Sequence, residues 1–334
     1  GTGCNIAIGR YAACCSDGAQ YNISIGDQSG QNNTTGDFNI NIGYKSGLNN
    51  DTTSNNINIG CCAGMHGTGG GEGGNCNIAI GAGAAKYRCG GTSHRNIALG
   101  YESGFSGKGT DNISLGYKAL YAGSGSCGSH NIGIGSESGY DFVNGDDNIF
   151  MGRQAGYYIC HGSDNIMLGR CAGYQQICGN ENVFIGRKAG YNVRNGCYNT
   201  LLGYNAGTWS CNARHNVYIG DHSGGSLSRA AYDQGNWNVS IGSSAGRLMC
   251  TATANTLLGA FAGSALSEGD HNVLLGAEAG DNITTGSCNV FIGYNVQAPY
   301  QYFDKQFGIG CANTYWISGD SDYNVTLAGI ATVY

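Results

Sequence analysis

Proline is nearly absent from this chain, one residue in 334. Collagen, which needs abundant Pro beside a Gly at every third position, is therefore excluded. Charge is scarce as well: Asp, Glu, Lys and Arg make up 11% of the residues, and the formal net charge is −6. Such a balance gives no electrostatic reason to expect nucleic acid as a partner. No apolar run approaches the length of a membrane-spanning helix, so membrane insertion is not expected. A sustained 3.6-residue hydrophobic period is missing too, and with it any expectation of helix. The chain opens at Gly1 without a Met or a signal peptide, which reads as a processed chain or a fragment. Disorder is excluded by a hydrophobic content of 41%.

What is abundant is glycine, 61 residues, and it is not scattered. The phrase Asn-aliphatic-x-aliphatic-Gly recurs from Asn5 to Asn289 in seventeen copies, two of which carry Thr (Thr200, Thr256) as the first aliphatic. A further copy begins at Gln306 and a degenerate one at Asn324. Most intervals are 17 residues, and the period returns to 17 after each longer interval, as between Asn56 and Asn77 or Asn216 and Asn238. Insertions thus bulge from a fixed frame. The two that break the period most, 65–75 and 225–236, are candidates for lateral contacts.

Alternation within the phrase marks a short β-strand. The residues one and three after the Asn, such as Ile149 and Met151 or Val183 and Ile185, are expected to form its buried face. A 17-residue unit with one strand cannot bury its own apolar face, whereas stacked copies can. The fold class is therefore all-β: a parallel β-solenoid of about 18 rungs over residues 1–294, followed by degenerate terminal rungs and a transition segment over 295–334. Asn148, Asn165, Asn182 and Asn199 are expected to form a hydrogen-bonded ladder of the kind stacked Asn residues make. Gly152, Gly169 and Gly186 mark a backbone position that excludes a side chain. Further inward residues are expected about twelve after the Asn (Val143, Ile177, Cys160, Cys211). This is a thin core for one chain, and a homotrimer that completes it is the economical solution.

Candidate chemistry is sparse. Tyr140, Tyr157, Tyr174 and Tyr191 lie nine after their Asn in successive copies; they form either a packed aromatic ladder or a platform for a glycan. Among 16 cysteines, Cys160 and Cys178 are the best-phased candidate disulfide. Spacing gives no zinc site, and the vicinal pairs Cys14–Cys15 and Cys61–Cys62 do not easily share one tetrahedral site. The Gly-rich loop at 67–75 lacks the Lys-Ser/Thr of a phosphate loop. No catalytic residue, metal ligand or cofactor site is assigned, and the chain is read as a non-enzyme.

The stretch Asn182-Val-Phe-Ile-Gly-Arg-Lys-Ala-Gly190 resembles the head repeats of trimeric autotransporter adhesins. It is still more similar to the longer repeats of bacteriophage tail fibres and related virion appendages. The closing stretch 315–334 is similar to segments of marine phage fibre proteins that follow such repeats. This resemblance implies a trimeric fibre shaft or adhesive segment on a virion surface, with self as partner and a host-surface glycan or receptor as target. The alternative is an extracellular or cell-surface filament whose subunits polymerise end to end. A carbohydrate-active enzyme on a β-solenoid is the third reading, without a nominated acid pair.

Overall fold

Each full copy of the repeat phrase folds as one three-residue strand, placed where the alternation puts it. The computed structural model describes residues 3–65, 74–86, 93–104, 109–122, 128–225, 235–312 and 314–328. Most of the two long insertions, residues 66–73 and 226–234, lies outside the described residues, as does Cys89. All regular structure among the described residues is β. The chain is a parallel β-solenoid of about 16 turns with a period near 17 residues, divided into two units, residues 1–165 and 166–334.

In the first unit the strands run in chain order from β1 (Ile6–Ile8) to β9 (Ile149–Met151). Each pairs in parallel with the next at equal phase, Ile6 opposite Ile23 and Ile40 opposite Ile57. Across the 21-residue interval Ile57 still faces Ile78, so the insertion leaves the register intact. In the second unit the strands run from β10 (Ile166–Leu168) to β17 (Val290–Ile292). The same in-register pairing holds there, with Val217 opposite Val239 across a 22-residue interval.

The strand buries the face opposite to the one expected. Its middle residue is inside, as for Met167, Phe184 and Leu201, while the flanking aliphatics are half-buried or exposed. The reason is the Asn itself. Asn148, Asn165, Asn182 and Asn199 are all buried. Strand alternation puts an inward residue, and the residue two further on, on the same side. An inward ladder therefore turns Ile149, Met151, Val183 and Ile185 outward.

Two more inward columns complete each turn. The residue seven after the Asn is small and buried, as at Ser46, Ala63, Ala155 and Ala189. The next inward column stands eleven after the Asn and not twelve: Phe142, Ile159, Gln176 and Val193 are buried, whereas Val143 and Cys160 are half-buried and Ile177 is exposed. Only Cys211, of the four residues expected there, is buried. One chain thus encloses a narrow core by itself, with four inward side chains per turn.

Two corners hold the turn in shape. The Gly four after the Asn has φ near +130°, as at Gly152, Gly169 and Gly186. A Cβ on Gly186 would stand 2.5 Å from the carbonyl oxygen of Gly203 in the next turn, so stacking itself forbids a side chain. The residues six after each Asn and one before each Asn from Asn22 onward also adopt left-handed backbone, although few are glycine; Lys188 (φ 60°) and Tyr198 (φ 61°) are examples.

The last turns depart from the frame. Gln306 takes the ladder position: its N–H donates to Asn289 Oδ1 at 2.8 Å. Its longer side chain folds back, with Nε2 donating to Phe303 O at 2.8 Å and Oε1 accepting from Tyr300 N–H at 3.0 Å. β18 (Phe307–Cys311) still runs parallel to β17. β19 (Thr314–Gly319) then reverses and pairs antiparallel along the outer edge of β18, and β20 (Val325–Leu327) pairs antiparallel with β19. The Tyr315 hydroxyl donates to the carbonyl of Gln297 and fastens this cap to the last turn.

Candidate functional site

The most regular chemistry in the molecule is the buried amide column. Asn165 donates its backbone N–H to Asn148 Oδ1 at 3.1 Å and its Nδ2 to the same oxygen at 3.0 Å. Asn199 does the same toward Asn182 Oδ1, at 3.0 and 3.1 Å. Each Nδ2 also reaches a carbonyl at the far corner of its own turn: Asn148 to Gly162 O, Asn182 to Gly196 O and Asn199 to Ala213 O, all at 2.8 Å. One side chain therefore ties three backbone segments, which a buried polar group requires in order not to be destabilising. The column positions backbone and presents no free reactive atom.

A second polar column escaped the sequence reading. The residue two before the ladder Asn is in most copies a short acceptor, and its side chain takes the backbone N–H of the same position one turn earlier. Asp37 Oδ1 accepts from Gln20 N–H and Asp146 Oδ1 from Ser129 N–H, each at 2.7 Å. Asp270 Oδ1 accepts from Thr253 N–H and Asp304 Oδ1 from Ser287 N–H, again at 2.7 Å. The signal was visible: Asp, Ser, Asn and Thr recur there because short side chains reach back across one rung, and His94 Nδ1 does the same toward Asn75 N–H at 2.9 Å. These four carboxylates are engaged in the scaffold.

The tyrosines come together as stacks. Tyr140 and Tyr157 lie 4.8 Å apart with planes 11° from parallel, and Tyr174 and Tyr191 lie 4.9 Å apart at 2°. Their faces cover one another and their edges point out, half-buried. A sugar platform needs a bare face, and each stack covers the faces that its two rings share. Cys160 and Cys178 are not joined; the structure contains no disulfide among the described residues. One sits twelve and the other thirteen after its Asn, and this one-residue phase difference leaves Cys160 half-buried and Cys178 exposed. Within each vicinal pair the sulfurs lie close, with Sγ–Sγ distances of 3.4 Å for Cys14–Cys15 and 3.6 Å for Cys61–Cys62. The hydrogen bond between Cys15 and Cys14 holds the Cys15 thiol above its ordinary pKa, and burial followed by the Cys61 bond does so for Cys62. No group of three or more metal-ligating side chains occurs among the described residues.

Charged pairs run along columns. Arg10 meets Asp27 at 2.7 Å and Arg95 meets Asp111 at 2.7 Å, both between adjacent turns. The Arg10 hydrogen bond holds the Asp27 carboxyl below the usual range, as the Arg95 bond does for Asp111.

The outer strand face is apolar. The columns one and three after the Asn present Ile, Val, Leu and Met to solvent in both units; Met151 is 42% exposed, Ile185 37% and Leu258 49%. No helix among the described residues is long and apolar enough to cross a membrane. No family model, curated protein or solved structure matches this chain.

Proposed function

We propose that this chain is a structural shaft or adhesive segment of a phage-like tail fibre or virion appendage, assembled as a homotrimer that takes part in attachment to a host surface. Its work is mechanical: stacked turns carry load, and no catalytic step is assigned to it. The observation that carries this reading is the outward aliphatic face. Two columns of Ile, Val, Leu and Met run along each unit, half-buried or exposed. A lone Leu on a surface needs no explanation, but a continuous apolar stripe of this extent marks an interaction surface. A sister copy presents the same stripe at the same pitch, so self-packing in a closed assembly matches it turn for turn. The thin-core argument for a trimer thus gives way to an exposed-face argument.

The cap favours a discrete fibre over an end-to-end filament. The outer edge of β18 is already taken by antiparallel β19, which leaves that edge unavailable to a parallel β1 of another copy.

Light scattering on the purified chain tests the proposal. A trimeric mass is expected, and Ile185→Asp should give a folded monomer, because three unpaired carboxylates would otherwise meet in the interface. A wild-type chain that remains a folded, soluble monomer at micromolar concentration would overturn it.

A further inference from the structure

We propose that the gap in the outer aromatic column at Ala254 is a binding slot for one pyranose ring of a surface glycan, held between Trp237 and His271. The inference deepens the attachment role proposed above and rests on it.

The column consists of the residues just before each ladder Asn: Tyr198, His215, Trp237, Ala254 and His271. All five have left-handed backbone, with φ between 54° and 61°, so their Cβ atoms leave the corner in one direction. The turns beneath are in register, Val239 opposite Thr256 and Thr256 opposite Val273. Rings therefore stack wherever consecutive residues carry them. Tyr198 and His215 lie 4.7 Å apart at 2°, and His215 and Trp237 lie 5.8 Å apart at 9°. At Ala254 the ring is missing, and His271 follows one turn further on.

Two turns separate Trp237 from His271, about 9.6 Å at ~4.8 Å per turn. A guest ring in van der Waals contact with both walls needs about 7–8 Å, twice the ~3.5–4 Å between touching carbons. One ring fits and two do not. A flat base would leave roughly 2 Å unfilled by the same count, and a puckered pyranose, thicker than an aromatic ring, takes up that slack. Trp237 is 62% exposed, with one face covered by His215 and the other directed at the gap. Its electron-rich face attracts the polarised C–H groups of a sugar. The His271 ring is exposed and makes no hydrogen bond, ion pair or ring contact among the described residues.

The flanks suit a polyol. Thr256 is exposed immediately after the inward Asn255, on the strand side. On the other side, Thr253 carries a hydroxyl, and Asp270 uses Oδ1 to accept Thr253 N–H at 2.7 Å, which leaves Oδ2 as an acceptor for sugar hydroxyls. The acidic flank and the net charge of −6 disfavour a nucleotide phosphate.

Saturation-transfer NMR and tryptophan fluorescence on the assembled wild-type protein test the slot. The probes are the methyl pyranosides of glucose, mannose, galactose and N-acetylglucosamine, with Trp237→Phe to assign the fluorescence signal. At least one sugar should bind with a dissociation constant of about 1–10 mM, as expected for a single small ring. Ala254→Phe fills the gap with a residue that Phe38 already places at this position with φ 57°. It should weaken binding by at least ~10-fold and leave circular dichroism and assembled mass unchanged. The slot is overturned if no probe binds at 50-fold its expected dissociation constant, or if Ala254→Phe binds as wild type does. The mass measured on the same samples reports the fibre reading separately, so a trimer without sugar binding removes the slot alone.

Discussion

In the first unit the inward strand position holds Ser24, Asn41, Asn58, Ala79, Ala98, Ser114 and Gly133 before the first large residue, Phe150. In the second it holds Met167, Phe184, Leu201, Tyr218, Leu257, Leu274 and Phe291, with Ser240 as the exception. From β2 to β17 the backbone is the same in both: three-residue strands, parallel pairing within each unit and the amide column. The first unit fills its interior with hydrogen bonds. Ser46 Oγ donates to Asn58 O at 2.7 Å, and Asn58 Nδ2 donates to Asn41 Oδ1 at 2.9 Å. A cavity of about 10 Å³ remains there, lined by Asn50, Asn56, Asn58 and Asn77 among others. The second unit fills its interior with apolar volume, fully burying Phe184, Leu257 and Phe291. Even its one polar turn obeys the rule, because the small Ser240 is accompanied by a buried Met249. The comparison teaches that the ladder and the corners specify the turn, while the contents of the core set only how strongly each turn is held.

The largest effect should come from Phe184→Ala, about 3–5 kcal/mol, since a fully buried aromatic is lost and a cavity remains. Ser114→Ala, at the equivalent place in the first unit, should cost only about 1 kcal/mol. Chemical denaturation of both variants checks this, and equal losses would mean the two interiors are energetically alike. Asn148→Ala, Asn165→Ala and Asn182→Ala should each cost about 1–3 kcal/mol in either unit, because each strips buried N–H and C=O groups of their partners. Melting curves that match wild type would show the amide column to be dispensable.

Asn58→Leu alone should cost about 1–2 kcal/mol by leaving Asn41 unpaired, whereas Asn41→Leu/Asn58→Leu should be close to neutral. A double variant worse than the single would show that the polar interior is required for shape. Glu181→Gly should stabilise by up to ~1 kcal/mol, since left-handed backbone penalises a Cβ. Gly83 already serves in the other left-handed corner, with φ 67°. A lower melting temperature for this variant would count against corner strain. Acidification should matter least. Asp27 and Asp111 have depressed folded pKa values, so their contribution is present above the ordinary carboxylate pKa and is lost as pH falls through the folded value. Both pairs are solvent-exposed, and the loss should be small. Carboxyl NMR titration should place both carboxyls below the ordinary range, and a normal titration would dissolve the Arg10–Asp27 and Arg95–Asp111 pairings.

Period, strand position, the amide column and its glycine were legible because each is a repeated local constraint. The facing of the strand was legible too, once Asn148 is taken as inward: alternation then decides Ile149 and Met151. It was missed because hydrophobicity was weighed above the polar residue that sets the phase. The acceptor column through Asp37, Asp146 and Asp270 was hidden by its variety, since four residue types perform one geometric task. The distinction between eleven and twelve after the Asn depends on left-handed corners at non-glycine residues, which no local pattern announces. Trp237 and His271 carry no sequence signal of their own, because a slot made by an omission has no motif.

The amide column also points one way along the chain. Each Asn offers Oδ1 to the turn that follows it in sequence, never to the one before. A polypeptide leaving the ribosome N-terminus first therefore always carries its acceptors on the edge just completed, ready for the next 17 residues. Assembly by accretion follows, like a crystal growing at a step, with every closing contact about one period away in sequence and correspondingly fast. Ribosome-bound nascent chains of increasing length should then gain protease protection one turn at a time; protection that arrives only with the complete chain would show that growth waits for the cap.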